Sequence, residues 1–190
     1  MRDKLLALTS CKLSQKKETQ QGEEIIMDKK VYQLLNDQIN KELYSAYLYL
    51  DMANYLGELG LDGFAHWYEL QAGEEQEHAL KIRKYLIEND QKVELLAIAK
   101  PDKAFDGILS VLEAGYEHEQ YVTSLINDIY DSAMSVKDWR TAQFLDWFVK
   151  EQLEEEESAR DLITKFNLFG KDSAGLYELN KELGKRSALN

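Results

Sequence analysis

An all-α fold, arranged as a four-helix bundle with one long crossover and a short fifth helix near the C-terminal end, is what this sequence predicts. Three observations carry that expectation. The chain has one proline among its 190 residues, so long helices can run without the lost hydrogen bond and steric clash of an interior proline. Apolar residues recur at alternating spacings of three and four through four stretches of roughly 27 to 30 residues, which lines them along one helical face about 40 Å long. The middle of the chain interrupts that pattern for longer than a turn between antiparallel neighbours requires.

Residues 1–26 lie apart from this pattern. They are polar, carry Lys12, Lys16, Lys17, Glu18, Glu23 and Glu24, and have no sustained periodicity, so they are expected to be poorly ordered. Leu8-Thr9-Ser10-Cys11 looks like a lipoprotein cleavage box, but the apolar run before it is too short and Asp3 interrupts its basic end. A different hypothesis is that Met27 is the true start, because codons for Gly22-Glu23-Glu24 can spell a purine-rich ribosome-binding site. Either way function is expected in a single domain over residues 27–190.

Asp28 is placed to cap the first helix, which runs through Tyr32, Leu35, Ile39 and Leu50 to Gly57 or Gly60. Asp62 is placed to cap the second, whose stripe is Phe64, Trp67, Gln71, Glu75, His78, Ile82 and Tyr85. Residues 89–103, with Asn89, Asp90 and Pro101, form the crossover. The third helix repeats the spacing at Ile108, Leu112, Gly115, Glu119, Val122, Ile126 and Ile129, and the fourth at Leu145, Phe148, Gln152, Glu155, Ala159, Leu162 and Phe166. Gly170 ends the fourth helix, and Leu176, Leu179 and Leu183 mark a short fifth one whose expected role is packing against neighbouring subunits.

Composition narrows the function. A net charge of −12 with pI ≈ 4.8 repels phosphate backbones and acidic headgroups, so neither nucleic acid nor a membrane is an expected partner. The single cysteine, Cys11, allows no internal disulfide, thiolate zinc site or four-cysteine iron centre within one chain, and fits a reducing cytoplasm. No stretch approaches the roughly 18 consecutive apolar residues of a membrane-spanning helix.

The informative feature is where acids sit. The inward stripes of the second, third and fourth helices are apolar except at Glu75, His78, Glu119, Gln152 and Glu155, and the first helix adds Glu42 on its stripe Leu35, Gln38, Glu42, Tyr49, Met52 and Leu56. A buried carboxylate without a partner costs several kcal/mol, whereas a bound cation neutralises several at once. Glu75-x-x-His78 places carboxylate and imidazole side by side on one face. One Glu from each of two helices plus Glu-x-x-His from each of two others is the ligand pattern of di-iron carboxylate bundles; here the second such motif reads Gln152-x-x-Glu155. Oxygen-rich ligation with one imidazole favours iron over zinc, and helix faces do not build the looped oxygen cage of calcium.

Asn40-Lys41-Glu42-Leu43-Tyr44-Ser45, Glu74-Glu75-Gln76-Glu77-His78, Tyr116-Glu117-His118-Glu119-Gln120, Glu151-Gln152-Leu153-Glu154-Glu155 and Gly175-Leu176-Tyr177 together resemble the ferritin family, its bacterial non-haem members above all, across residues 28–185. The resemblance implies a ferritin-like bundle that oxidises Fe²⁺ with O₂ or H₂O₂ and stores ferric mineral inside a shell of 24 identical subunits. It implies a first iron site from Glu42, Glu75 and His78, and a second from Glu75, Glu119 and Glu155 with Gln152 close by, Glu75 bridging. It implies a third, nearby iron position from Glu74, Glu151, Glu154 and Glu155, and Tyr49 beside the centre as electron donor or hydrogen-bonding neighbour. Haem-binding relatives carry methionine where this chain has Gln76, so no haem is expected.

Two other readings are set against this one. A peroxidase resembling rubrerythrin would need cysteine pairs that the chain lacks, and a metal-free structural bundle would need inward cations to pair its acids. For the leader, mass spectrometry of the natively expressed protein decides between the two starts; a tryptic peptide spanning residues 5–12 would refute a start at Met27.

Overall fold

The computed structural model describes residues 27–187, so the expectations for the leader fall outside the described part. Five helices follow in order: α1 (Lys29–Glu58), α2 (Asp62–Glu88), α3 (Ile108–Ser135), α4 (Trp139–Phe169) and α5 (Ser173–Leu183). The first four form the bundle, with α1 packed on α2, α3 on α4 and α1 on α3. Among the described residues, no helix is long and apolar enough to cross a membrane.

Helix α1 starts as expected, the Asp28 carboxylate accepting from the backbone N–H groups of Lys30 and Val31. Its partner departs from expectation. Asp62 is the first residue inside α2, and Leu61 before it makes no side-chain cap. The carbonyl Oδ1 of Asn180, in α5, instead accepts from Gly63 N at 2.9 Å and Phe64 N at 3.2 Å. A Cβ on Gly63 would sit 1.7 Å from the Asn180 carbonyl oxygen, so only glycine lets α5 lie this close. Leu179 and Leu183 are buried in the same contact. The fifth helix thus closes the end of its own bundle.

The crossover, residues 89–107, contains no helix and runs along α1 over residues 92–97. Tyr32 donates to Lys92 O, Asn36 exchanges two hydrogen bonds with the backbone of Glu94, and Asn40 donates to Ala97 O. Side chains at i, i+4 and i+8 of one helix face thereby satisfy a segment that has no sheet to join.

The core is divided in two. One apolar cluster gathers Leu48, Met52, Leu56, Phe64, Tyr68, Val111, Leu112 and Leu162, and includes Leu179 and Leu183 of α5. The other gathers Val31, Leu35, Ile39, Ile82, Leu86, Val122, Ile126, Leu145 and Phe148. Between them the stripes carry Glu42, Gln71, Glu75, His78, Glu119, Gln152 and Glu155, all buried. Asn180→Ala is expected to lower stability by about 1 kcal/mol, the worth of an N-cap, and to speed hydrogen exchange in α5 and the first turn of α2; unchanged exchange there would remove the capping role.

Candidate metal centre

Each helix contributes one buried carboxylate to the polar layer: Glu42 from α1, Glu75 from α2, Glu119 from α3 and Glu155 from α4. Every one sits where the three-four spacing would otherwise place an apolar side chain. Three of the four have a glutamine amide donor. Gln38 donates to Glu42 at 2.9 Å, Gln71 to Glu155 at 2.7 Å and Gln152 to Glu119 at 3.1 Å. Glu75 has none: both its oxygens are buried without a hydrogen-bond partner, as is Oε2 of Glu42. Buried orphan acceptors of this kind cost free energy unless a cation or proton meets them.

The structure brings Glu42, Glu75 and His78 together with ligand atoms all within 4.8 Å of one another. His78 Nδ1 lies 3.7 Å from Glu75 Oε2, too long for a hydrogen bond. Two donors each about 2.1 Å from a common ion and about 120° apart would be about 3.6 Å apart. A second group joins His78 with Glu151 and Glu155, His78 Nε2 lying 3.9 Å from Glu151 Oε1. The ring of Trp147 covers His78 edge-on at 5.4 Å, and Lys81 Nζ stands 3.5 Å over that indole.

Other expected residues are placed less directly. Glu119 is buried beside Glu75, but its oxygens are engaged by Tyr49 and Gln152. Tyr49 is fully buried and donates its hydroxyl to Glu119. Of the residues expected around a third ion, Glu151 and Glu155 converge with His78, whereas Glu154 is exposed and paired with Lys150 at 3.1 Å. Glu74 has one oxygen bonded to Arg186 at 2.7 Å and the other buried without a partner. Glu156 is half-buried and accepts from Thr123 at 2.7 Å. The glutamine donors Gln38 and Gln71 lay on the expected stripes, and only their regular spacing with the acids hinted at a role. Arg186 carried no signal at all, being far away in sequence.

Electrostatics follow from burial. Desolvation raises the Glu42 carboxyl to about 7 and Glu155 to about 8, against the amide bonds from Gln38 and Gln71 that lower them. Glu75 is pushed well above the usual carboxylate range by burial and then by the charges of Glu119, Glu42 and Glu155. Glu119 is raised by burial, with Tyr49 and Gln152 opposing. Burial lowers His78 to about 4, so at neutral pH it presents the neutral imidazole that a metal requires. Tyr49 is raised far above its ordinary value, mainly by burial, and stays a hydrogen-bond donor. Among the described residues, no Lys or Arg is buried. The donor set therefore fits hard or borderline divalent ions, and the alternative of internal salt bridges lacks its cations.

A family model for a ferritin-like domain matches residues 32–169. The chain is similar to a bacterial non-haem ferritin of Campylobacter jejuni, 43% identical over 152 residues, which covers 80% of this chain and 91% of that one. It is also similar to one of Staphylococcus saprophyticus, 38% identical over 162 residues, 85% and 97% of the two chains. Among solved structures, an open-pore ferritin of Archaeoglobus fulgidus superposes with a TM-score of 0.83 at 43% identity, covering 85% of this chain and 98% of its own.

Because binding must expel protons from Glu75, Glu155 and part of Glu42, affinity for a divalent ion is expected to rise from about pH 6 to about pH 8 while protons released per ion fall. His78, already deprotonated above about 4, adds no opposing trend. The raised carboxyls stabilise the metal-free fold below their unfolded value of 4.5 and lose that contribution as pH climbs through about 7 to 8. The lowered His78 and His118 act oppositely, losing theirs as pH falls from 6.5 toward about 4. Thermal stabilisation by added metal should therefore widen between about pH 6 and about pH 8. Calorimetry in buffers of different ionisation enthalpy measures the protons; release independent of pH would contradict the assignment.

Proposed function

This chain belongs to the ferritin family, and from that premise we propose that its subunit stores iron, oxidising Fe²⁺ to Fe³⁺ at the mid-bundle carboxylates. One observation carries the reading: the orphaned oxygens of Glu42 and Glu75 face a neutral His78 between two apolar half-cores.

Two Fe²⁺ substrate ions are held, one by Glu42, Glu75 and His78, the other by Glu75, Glu119 and Glu155 with Gln152 alongside. Glu75 lies between them and, lacking an amide donor, keeps both oxygens for metal. Each ion gives up one electron, and the pair reduces one O₂ to H₂O₂ or one H₂O₂ to two waters, with two protons taken up. Tyr49 holds Glu119 by its hydroxyl and is placed to lend an electron. A third ion position draws on Glu74, Glu151, Glu154 and Glu155. No haem takes part in this scheme.

Gln152 and Glu155 stand where a symmetric di-iron bundle has glutamate and histidine. A neutral amide attracts metal less than a carboxylate, so the second ion is held more loosely and its Fe³⁺ leaves for storage more readily. The acidic balance, −12 per chain, draws cations toward such a store. Leu95, Leu96 and Ile98 on the crossover are 68%, 44% and 42% exposed, an apolar face that favours self-association into a cytoplasmic shell of 24 copies.

The test is aerobic Fe²⁺ oxidation followed optically, with gel filtration of the same samples. Wild type should elute near twenty-four subunit masses and oxidise rapidly. Glu75→Ala should assemble but lose on the order of a hundredfold or more in initial rate, and Gln152→Glu should keep the first turnover while slowing later ones. Equal rates in wild type and Glu75→Ala would end the ferroxidase reading.

A further inference from the structure

Outside the carboxylate layer, one side chain reaches into it from an unexpected direction. Arg186 lies just beyond α5, and contacts with four residues fix it. Its backbone carbonyl is within 2.9 Å of His66 Nε2. Its guanidinium lies 4.9 Å over the ring of Trp67, a favourable cation–π placement. Its two terminal nitrogens then fork, Nη2 donating to Glu74 Oε2 at 2.7 Å and Nη1 to the amide oxygen of Gln71.

The fork has two consequences. Gln71, with its oxygen taken by Arg186, must turn its NH₂ inward, where it donates to Glu155 Oε2 at 2.7 Å. Glu74 has its charge neutralised on one oxygen while the other, Oε1, stays buried and without a partner. The Arg186 side chain is only 23% exposed and that of Glu74 15%, so this pair is screened less than a surface salt bridge. A divalent ion needing Glu74 meets a cation already in place.

We propose that Arg186 is a built-in counter-cation of the carboxylate centre, which orders Gln71 and Glu155 in the metal-free state and competes with an outer divalent ion for Glu74. This rests on the metal reading above. Its content is that filling the outer position displaces the guanidinium and loosens the segment after α5, whereas filling the inner positions leaves it seated. Arg186 is a positioning residue here, never a ligand.

Zn²⁺ is a suitable probe because it binds without turnover. Assembled full-length protein, metal-free, is titrated calorimetrically, and hydrogen exchange of residues 184–187 is read at inner and at full occupancy. Arg186→Gln should bind the outer ion at least about tenfold tighter, with inner affinity changed less than about threefold. Arg186→Lys, which keeps the charge but cannot fork, should fall between. In wild type, exchange at 184–187 should accelerate only as the outer ion binds, and Glu74→Gln should abolish both that ion and the response. Unchanged outer affinity in Arg186→Gln, or exchange indifferent to Zn²⁺ in wild type, would overturn the proposal while leaving the inner site standing. Absence of any Zn²⁺ uptake by wild type would remove the metal reading and this inference with it.

Discussion

Everything in this bundle is arranged around four carboxyl groups, one per helix, taken out of water between two apolar half-cores. Holding Glu42 ionised at its buried position costs about 3 kcal/mol relative to water, taking its carboxyl from 4.5 to about 7, and Glu75 is driven further in the same direction. A protein meaning only to be stable would place Leu at these four positions. One meaning to pair the acids internally would bury lysine or arginine among them. Among the described residues none of these four acids is ion-paired with a lysine or arginine, and neutral glutamines hold three of them instead.

The glutamines explain how the layer stays both ordered and hungry for cations. An amide N–H holds a carboxylate in place and eases its ionisation, yet leaves its charge uncancelled. Gln38, Gln71 and Gln152 do this for Glu42, Glu155 and Glu119. Glu75, at the centre, is left with no donor. It is therefore the group with the most to gain from a cation placed beside it. The same logic governs His78: burial strips its proton, so it meets the acids as a neutral imidazole and not as an ion-pair partner.

Much of this was legible in the sequence because it is local. The stripes Phe64 to Tyr85 and Leu145 to Phe166 follow from a period of 3.6 residues, and an acid on such a stripe must point inward whatever the tertiary details. The Asp28 cap is likewise a matter of three neighbouring residues. What escaped was contact across the fold. Asp62 has the residue type of an N-cap, but Asn180 takes that work from 116 or more residues away, and no local signal distinguishes the two. The crossover's length could be read, but not that Tyr32, Asn36 and Asn40 would serve as its ladder. Glu154 illustrates the limit from the other side. It shares a run of acids with Glu151 and Glu155, but one helical position rotates it to solvent, where Lys150 meets it.

The C-terminal segment unites these threads. Helix α5 supplies the oxygen that α2 lacks at its first turn, and α2 carries Gln71, Glu74, Glu75 and His78 on the turns that follow. The residues just past α5 place a guanidinium against two of those four. Helix α2 is thus steadied at its start by one end of this segment and beside its ligands by the other. The coupling is one of geometry: Leu179 and Leu183 anchor α5 in the core, and the absent side chain at Gly63 sets how close it lies. The reach of Arg186 is measured from that seat. The packing at the bundle's end and the charge balance at its middle are thus linked through one short segment.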